Sequence, residues 1–476
     1  MKKAIVFLLI FLMLILSACA GQTSATQAAA STPAAQVSAV ATQSAPASAA
    51  STGAAQASSG LQNPPPGSNG SDSTYTITAA YSQDGGSETK TGQTYTAANA
   101  DESAVYVNNS GALTLANASI TTSGNTSSQD NSSFHGLNAA VLAAGGSTIS
   151  LSDSTITTSG TGANGAFATD SGSSVTLSKV TIQATADGGH GVMATNGGSM
   201  TLTDVNINTA GTSSGAIATD RGGGTINVTG GTVTTSGKNS PAIYSTGAIS
   251  VSGGTMTASG AEAAVIEGGN SITLTDTSLS STLQKWGVMI YQSMSGDAEG
   301  TKGTFTMTGG SLAYTPTSGP LFYVTNSTGV ITLKGVKVTS GSGILVKASA
   351  GDWGNSGSNG GTVIFTADGQ TLTGDLVADS ISAITLTLQN GSSLTGTINA
   401  DHTAKSASLT LDATSSWTVT GDSTLTSLTD ASGISGTTIT NITGNGHTVY
   451  YDASASPALN GQTYTLNGGG YLKPAS

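Results

Sequence analysis

The sequence predicts an all-β chain: a right-handed parallel β-helix, with three short strands and about 23–26 residues per coil, behind a disordered N-terminal tether. Three observations carry this. Only 8% of residues are charged, against about 25% in ordinary globular domains. Glycine numbers 65. Three strand signatures return in fixed order at a nearly constant spacing. The first two disfavour a typical helical or α/β enzyme and leave either disorder or a turn-rich repeat. The periodicity decides for the repeat.

The chain begins with a basic tip, Lys2 and Lys3, and an apolar run from Ala4 to Leu16. Such a segment reads as a secretory signal, residues 1–18. It is too short, with the wrong flanks, for an ordinary membrane span. The closing Leu16-Ser17-Ala18-Cys19 resembles the lipobox of bacterial lipoproteins. That resemblance implies that the Cys19 thiol takes a diacylglycerol, becomes the first mature residue and makes the membrane a partner. The alternative is an ordinary signal with a chance cysteine. Cys19 is the only cysteine, so it has no internal disulfide partner. Ala20 stands where an Asp can mark inner-membrane retention in some Gram-negative bacteria, which favours the outer surface.

Residues 19–73 are mostly Ala, Ser, Thr, Gln and Pro, without charge before Asp72, and they include Pro64-Pro65-Pro66-Gly67. Such a composition buries too little apolar area to offset its ordering entropy. It reads as a tether with an end-to-end distance of roughly 40 Å. The β-helix is expected over 74–430 and a C-terminal β-cap over 431–476. Without Lys2 and Lys3 the mature chain has 11 basic against 25 acidic residues, a net charge near −14. That balance disfavours nucleic acid and anionic lipid as partners.

The first strand signature alternates, as in Ile149-Ser150-Leu151-Ser152, Val175-Thr176-Leu177-Ser178 and Met200-Thr201-Leu202-Thr203. From Ile149 to Ile272 it recurs at steps of 26, 25, 26, 23 and 23 residues. The second follows a two-residue corner, as in Ile156-Thr157-Thr158-Ser159-Gly160. The third is more apolar: Ala166-Phe167-Ala168-Thr169, Val192-Met193-Ala194-Thr195, Ala216-Ile217-Ala218-Thr219, Ala242-Ile243-Tyr244-Ser245. Alternation means one buried and one wet face. Three short strands cannot close a core alone, whereas stacked copies can. Aligning the third signatures places Ile217 in the core between Met193 and Ile243. Asp153, Asp204 and Asp276, with Gly230, Gly253 and Gly309, mark one corner, where both types tolerate a left-handed backbone. About thirteen coils fit, giving a rod on the order of 60 Å long.

These coils resemble the right-handed β-helix of pectate-lyase-like proteins and autotransporter passengers. Trp417-Thr418-Val419-Thr420-Gly421-Asp422 through Leu428 is similar to the last coils of passenger domains. Residues 100–350 more closely resemble Gly/Thr-rich, adhesin-like bacterial surface proteins. The matching stretches are Asp130-Asn131-Ser132-Ser133-Phe134, Thr219-Asp220-Arg221-Gly222-Gly223-Gly224, Ser240 to Ser245 and Met289 to Asp297. The resemblance implies the fold and transfers no catalytic residue.

An enzyme reading turns on the chemistry of a few side chains. Uronate lyases of this fold need basic side chains, and Arg221 is the sole arginine. Gly189-His190-Gly191 resembles the Gly-His-Gly of polygalacturonases, whose Arg-Ile-Lys partner motif is absent; the plainer reading is a turn histidine. Asp170 and Asp220, two coils apart, would stand about 10 Å from one another, a loose fit to an inverting pair. Asp170, Asn196 and Asp220 are expected to stack along one rim beside Arg221, as acceptors for sugar hydroxyls or a cation. The competing reading is a ladder that satisfies turn backbone. Gln284 to Gly303 interrupts the repeat and carries Trp286, Tyr291, Asp297 and Glu299; Asp352 and Trp353 lie in a second insertion. Aromatic faces suit sugar rings, although Val288, Ile290 and Tyr291 also fit an ordinary third strand. Thr157, Thr234 and Thr257 suggest an ice-binding array that Gln183 and Asn208 break. No cofactor motif and no zinc or calcium spacing is present.

The sequence therefore predicts an exported protein, lipid-anchored at the bacterial cell surface, acting as a non-enzymatic adhesin or interaction rod with glycans as candidate ligands. The alternatives are a polysaccharide-active β-helix enzyme and a passive structural layer.

Overall fold

A computed structural model describes residues 75–475. The expected signal, Cys19 and the whole of the expected tether lie outside them. The described chain is a right-handed parallel β-solenoid of about 16 turns and three parallel sheets. The first sheet has 12 strands, from Thr78–Asp84 to Asp375–Ala378. The second has 14, from Ser87–Thr91 to Ser427–Thr429, and the third has 10, from Thr94–Ala97 to Lys337–Ser340. A fourth sheet of nine strands completes the C-terminal end, where Tyr464–Asn467 pairs antiparallel with Tyr471–Pro474. The turn count exceeds thirteen because the last coils are shorter, as in the 19-residue step from Leu409 to Leu428, and parallel pairing continues past residue 430.

Alternation explains the core. The first signature forms an unbroken interior ladder, Leu113–Ile149–Val175–Met200–Ile226–Ile249, that continues through Phe305 and Phe365 to Leu428. Phe305, Phe322 and Phe365 meet edge-on at 5.6 and 5.8 Å. The first coil places Tyr81, Lys90 and Tyr95 in register with Val105, Leu115 and Ile120. Lys90 pairs with Glu88 at 2.8 Å and lies 4.6 Å from the Tyr81 ring centre. Amphipathic side chains thus cover the open end of the apolar stack, as a terminal solenoid repeat requires.

The corner between the second and third sheets is left-handed in coil after coil: Asn117, Asp153, Lys179, Asp204, Gly230, Gly253 and Asp276 all have positive φ. Lys179 breaks the Asp/Asn/Gly rule that otherwise makes the corner legible. At Gly231 a Cβ would fall 2.1 Å from the Val205 carbonyl oxygen, so glycine is required there for close coil approach as well as for its φ of 79°.

The structure corrects one register. Ile217 is buried and pairs with Val192 and Ile243, while Met193 pairs with Ala218. Ile217 therefore faces the interior, and Met193 faces outward into a second apolar cluster with Phe167, Tyr244 and Val265. The middle strands of the first sheet, from Val141–Ala143 to Phe322–Thr325, are buried on both faces, so their apolar pattern does not alternate and cannot fix which residue points inward.

Candidate functional site

The first sheet owes its double burial to segments that cross its outer face. The helix Gln129–His135 is capped by Ser128, whose side chain accepts from Asn131 N, and is stopped by left-handed Gly136. Its Phe134 carbonyl accepts hydrogen bonds from Thr195 Oγ1 at 2.8 Å and Asn196 Nδ2 at 3.1 Å. The Arg221 guanidinium lies 3.9 Å from the centre of the Phe134 ring. Residues 292–301 form a second cover, inserted at a corner that takes two to four residues in the five preceding coils. Residues 349–360 form a third, in which Asn359 Nδ2 donates to the Gly351 and Trp353 carbonyls at 2.9 Å each.

Under these covers runs an outward row of polar side chains. Extending the strand register gives Thr169, Thr195, Asp220, Thr246, Glu267, Tyr291 and Thr325, one per coil, all buried. Glu267 is its centre. Tyr291 Oη donates to Glu267 Oε2 at 2.7 Å, Tyr244 Oη donates to the same oxygen, and Ser293 Oγ donates to Oε1. Asp220 Oδ1 accepts from Arg221 N at 2.8 Å. Arg221 bridges to Asp297 at 2.9 Å, and Asp297 also accepts from Ser295 Oγ at 2.9 Å. Thr246 Oγ1 and Arg221 Nε are buried and have no hydrogen-bond partner among the described residues.

The electrostatics follow from burial. Asp220 is pushed well above the usual carboxylate range, first by desolvation and then by the nearby Asp297 carboxylate. Glu267 is also raised by burial, partly offset by the hydroxyls of Ser293, Tyr244 and Tyr291. Burial, and then the Glu267 charge, hold both tyrosines well above their ordinary value. Away from this row, burial lowers His190 to about 4. Its Nδ1 stands 3.1 Å from Asn164 Oδ1, and Asn164 Nδ2 donates to the Ser132 carbonyl at 3.1 Å. His190 therefore ties the helix to the coils, the role of a turn histidine.

The candidate residues divide accordingly. Asp170 and Asn196 occupy equivalent left-handed corners, but the next rung is Arg221, whose carbonyl accepts from Asn196 N at 3.0 Å. Asp220 sits one position earlier, in register with Thr195, so the expected Asp170–Asn196–Asp220 stack does not form. Asp170 is exposed and accepts from Gly145 N at 3.0 Å, a turn-satisfying bond. Arg221 and Asp297 are brought together across 76 residues. Tyr291 and Trp353 also meet, ring centres 4.7 Å apart, but both are buried, and Tyr291 ends a first-sheet strand. Trp286 stacks on Tyr323 at 4.3 Å and carries Lys285 over its face at 4.1 Å. The three aromatics therefore do not make an exposed strip. Glu267, Tyr244, Thr246 and Ser293 were missed. The available signal was Glu267 closing the apolar run Ala264-Val265-Ile266.

Three carboxyls gather here, where acid/base hydrolysis needs two, but Asp220 and Glu267 are buried and Asp297 is half-buried on the covering segment and paired with Arg221. Among the described residues no three His, Cys, Asp or Glu side chains are placed to hold a metal ion. No described helix is long and apolar enough to cross a membrane.

The second sheet is bare by comparison. The central outward position of its 14 strands runs from Thr89 and Thr114 through Thr176, Thr201 and Thr273 to Thr429; every rung is Thr or Ser except Asn227. None of these hydroxyls bonds within the described residues. On the third sheet, Gln183 and Asn208 do interrupt the threonines and bond to each other at 2.9 Å. No protein-family model and no curated protein matches the chain.

Proposed function

We propose that this protein is a non-enzymatic interaction rod, held at the bacterial cell surface by lipidated Cys19, that binds glycans or other hydroxylated surface polymers. The outward hydroxyl ladder of the second sheet carries this reading. Its rungs repeat every 4.8 Å or so and extend for about 60 Å. Such a ladder offers a polymer many weak donors and acceptors in series, and weak contacts in series accumulate as avidity. Asp170, Asn196, Arg221 and Trp286 edge the neighbouring first sheet and are candidate additional contacts. The sealed state of Asp220 and Glu267 weighs against catalysis, because a general acid must reach the glycosidic oxygen.

The test is a glycan array and co-sedimentation with insoluble polysaccharides, using the purified protein and a Thr176→Val/Thr201→Val/Thr273→Val variant. Valine keeps the β-branched shape and removes the hydroxyl. The expected outcome is retention by the parent, several-fold weaker retention by the variant, and identical circular dichroism. Equal retention of parent and variant removes the ladder from the binding surface.

A further inference from the structure

We propose that Tyr471, Tyr450 and Lys473 form a stacking subsite for an uncharged pyranose sugar in the closing coil of the rod, apart from the hydroxyl ladder. The inference rests on the glycan-binding reading and gives it a second site with a stated ligand class. Strand parity builds the site. Three neighbouring strands of the fourth sheet, Ser423–Leu425, Thr448–Tyr451 and Tyr471–Pro474, pair in parallel. Ser423, Val449 and Leu472 share one rung and are buried in the core. Thr424, Tyr450 and Lys473 share the next rung and face outward, and Tyr471 stands two residues before Lys473 on the same face. Of the described aromatic rings Tyr471 is the most exposed, at 52%. A lone exposed tyrosine needs no explanation. This one belongs to a cluster: Lys473 Nζ lies 5.0 Å from the Tyr450 ring centre, and the ring of the exposed His402 is centred 5.9 Å from it.

The chemistry of the patch selects the ligand. A pyranose has an apolar C–H face and a rim of hydroxyls. The Tyr471 ring offers that face a flat, amphipathic surface. Donors and acceptors for the rim stand around it. Lys473 makes no ion pair among the described residues, so its ammonium is free to donate to sugar hydroxyls. Its contact with Tyr450 orders the side chain before a sugar arrives, which lowers the entropy lost on binding. Thr448 and Thr465, both paired in register with Tyr471, add hydroxyls. Asp422 adds a carboxylate acceptor; its Oδ1 accepts from Thr448 N at 2.8 Å and lies 3.8 Å from His447 Nδ1. Charge argues for a neutral sugar. Asp422 offsets Lys473 locally, and the chain carries a formal net charge of −12, which repels an acidic polymer. The covers of the first sheet offer no such platform, because Tyr291 and Trp353 are buried.

The experiment is saturation-transfer NMR of the full protein with neutral trisaccharides of glucose, mannose and galactose, and with a galacturonate trisaccharide as the acidic counterpart. A trisaccharide is too short to engage the ladder through many contacts in series. The subsite predicts transfer to the ring C–H protons of at least one neutral trisaccharide. Tyr471→Ala should abolish that transfer, Tyr471→Phe should keep it, and Lys473→Gln should weaken binding several-fold. Because Tyr471 is exposed and Lys473 half-exposed, all three variants should keep the circular dichroism of the parent. The Thr176→Val/Thr201→Val/Thr273→Val variant should bind the trisaccharide as the parent does. Three results overturn the proposal: no transfer to any neutral trisaccharide, equal transfer in Tyr471→Ala, or stronger transfer to the galacturonate. In each case, polymer retention that still falls in the triple valine variant leaves the ladder reading standing, so the two readings fail separately.

Discussion

Ile217, Trp353 and His190 illustrate what single side chains do in this solenoid. Ile217 is fully buried between Val192 and Ile243, so Ile217→Asp places a carboxylate in an apolar stack with no partner. Several kcal/mol of stability should be lost in urea titrations. Trp353 is 7% exposed and packs on Tyr291, so Trp353→Ala should cost about 3 kcal/mol or more, mostly as lost packing under the third cover. His190 sets an acid limit. Its folded pKa of about 4 lies below the unfolded value near 6.5, so the unfolded chain binds the proton more tightly. Stability is therefore full above about pH 6.5 and falls as pH drops toward 4, by roughly 3 kcal/mol. Asp220 and Glu267 act in the opposite sense: their folded pKa values are raised, so their contribution is present at low pH and lost as pH rises through them. Denaturant midpoints across pH should form a dome, and His190→Gln should flatten its acid limb only.

At the scale of elements, legibility tracked alternation. Ile149, Leu151, Val175 and Leu177 alternate with exposed hydroxyls, so their strands and register could be read directly. Val192-Met193-Ala194-Thr195 is buried on both faces, and there the reading slipped by one residue, separating Met193 from Ile217. The same slip misplaced Asp220, which made a buried carboxylate look like part of an exposed rim. The second and third covers were legible only as interruptions of the repeat, and the helix Gln129–His135 was not legible at all, since no helical stretch was expected between strands. Nothing local says that Asp297 will reach Arg221 or that Phe134 will lie against the same guanidinium. Corners were readable where Asp or Gly stood and opaque at Lys179. Gly231→Val should be far more disruptive than a surface substitution, since it meets the Val205 carbonyl as well as an unfavourable φ. A lowered melting temperature with unchanged near-neutral pH dependence is the expected result.

The whole molecule divides the work among its faces. One sheet is sealed by inserted covers, and another presents hydroxyls along about 60 Å. The N-terminal coil shields the stack with Tyr81, Lys90 and Tyr95, and the last strands turn antiparallel. The proposed anchoring belongs to this scale and rests on the resemblance of Leu16-Ser17-Ala18-Cys19 to a lipobox. Replacing Cys19 with Ala should abolish incorporation of labelled lipid and move the protein out of the membrane fraction. Membrane retention without label in the parent protein would remove the lipoprotein reading. The claim that joins the faces is that this rod binds polymers and leaves them intact. Its most direct test is incubation of the purified protein with a panel of neutral and acidic polysaccharides, assayed for reducing ends and unsaturated uronates. The account predicts no product above a heat-denatured control. Product that disappears in Asp220→Asn or Glu267→Gln would contradict it and assign the buried row to catalysis.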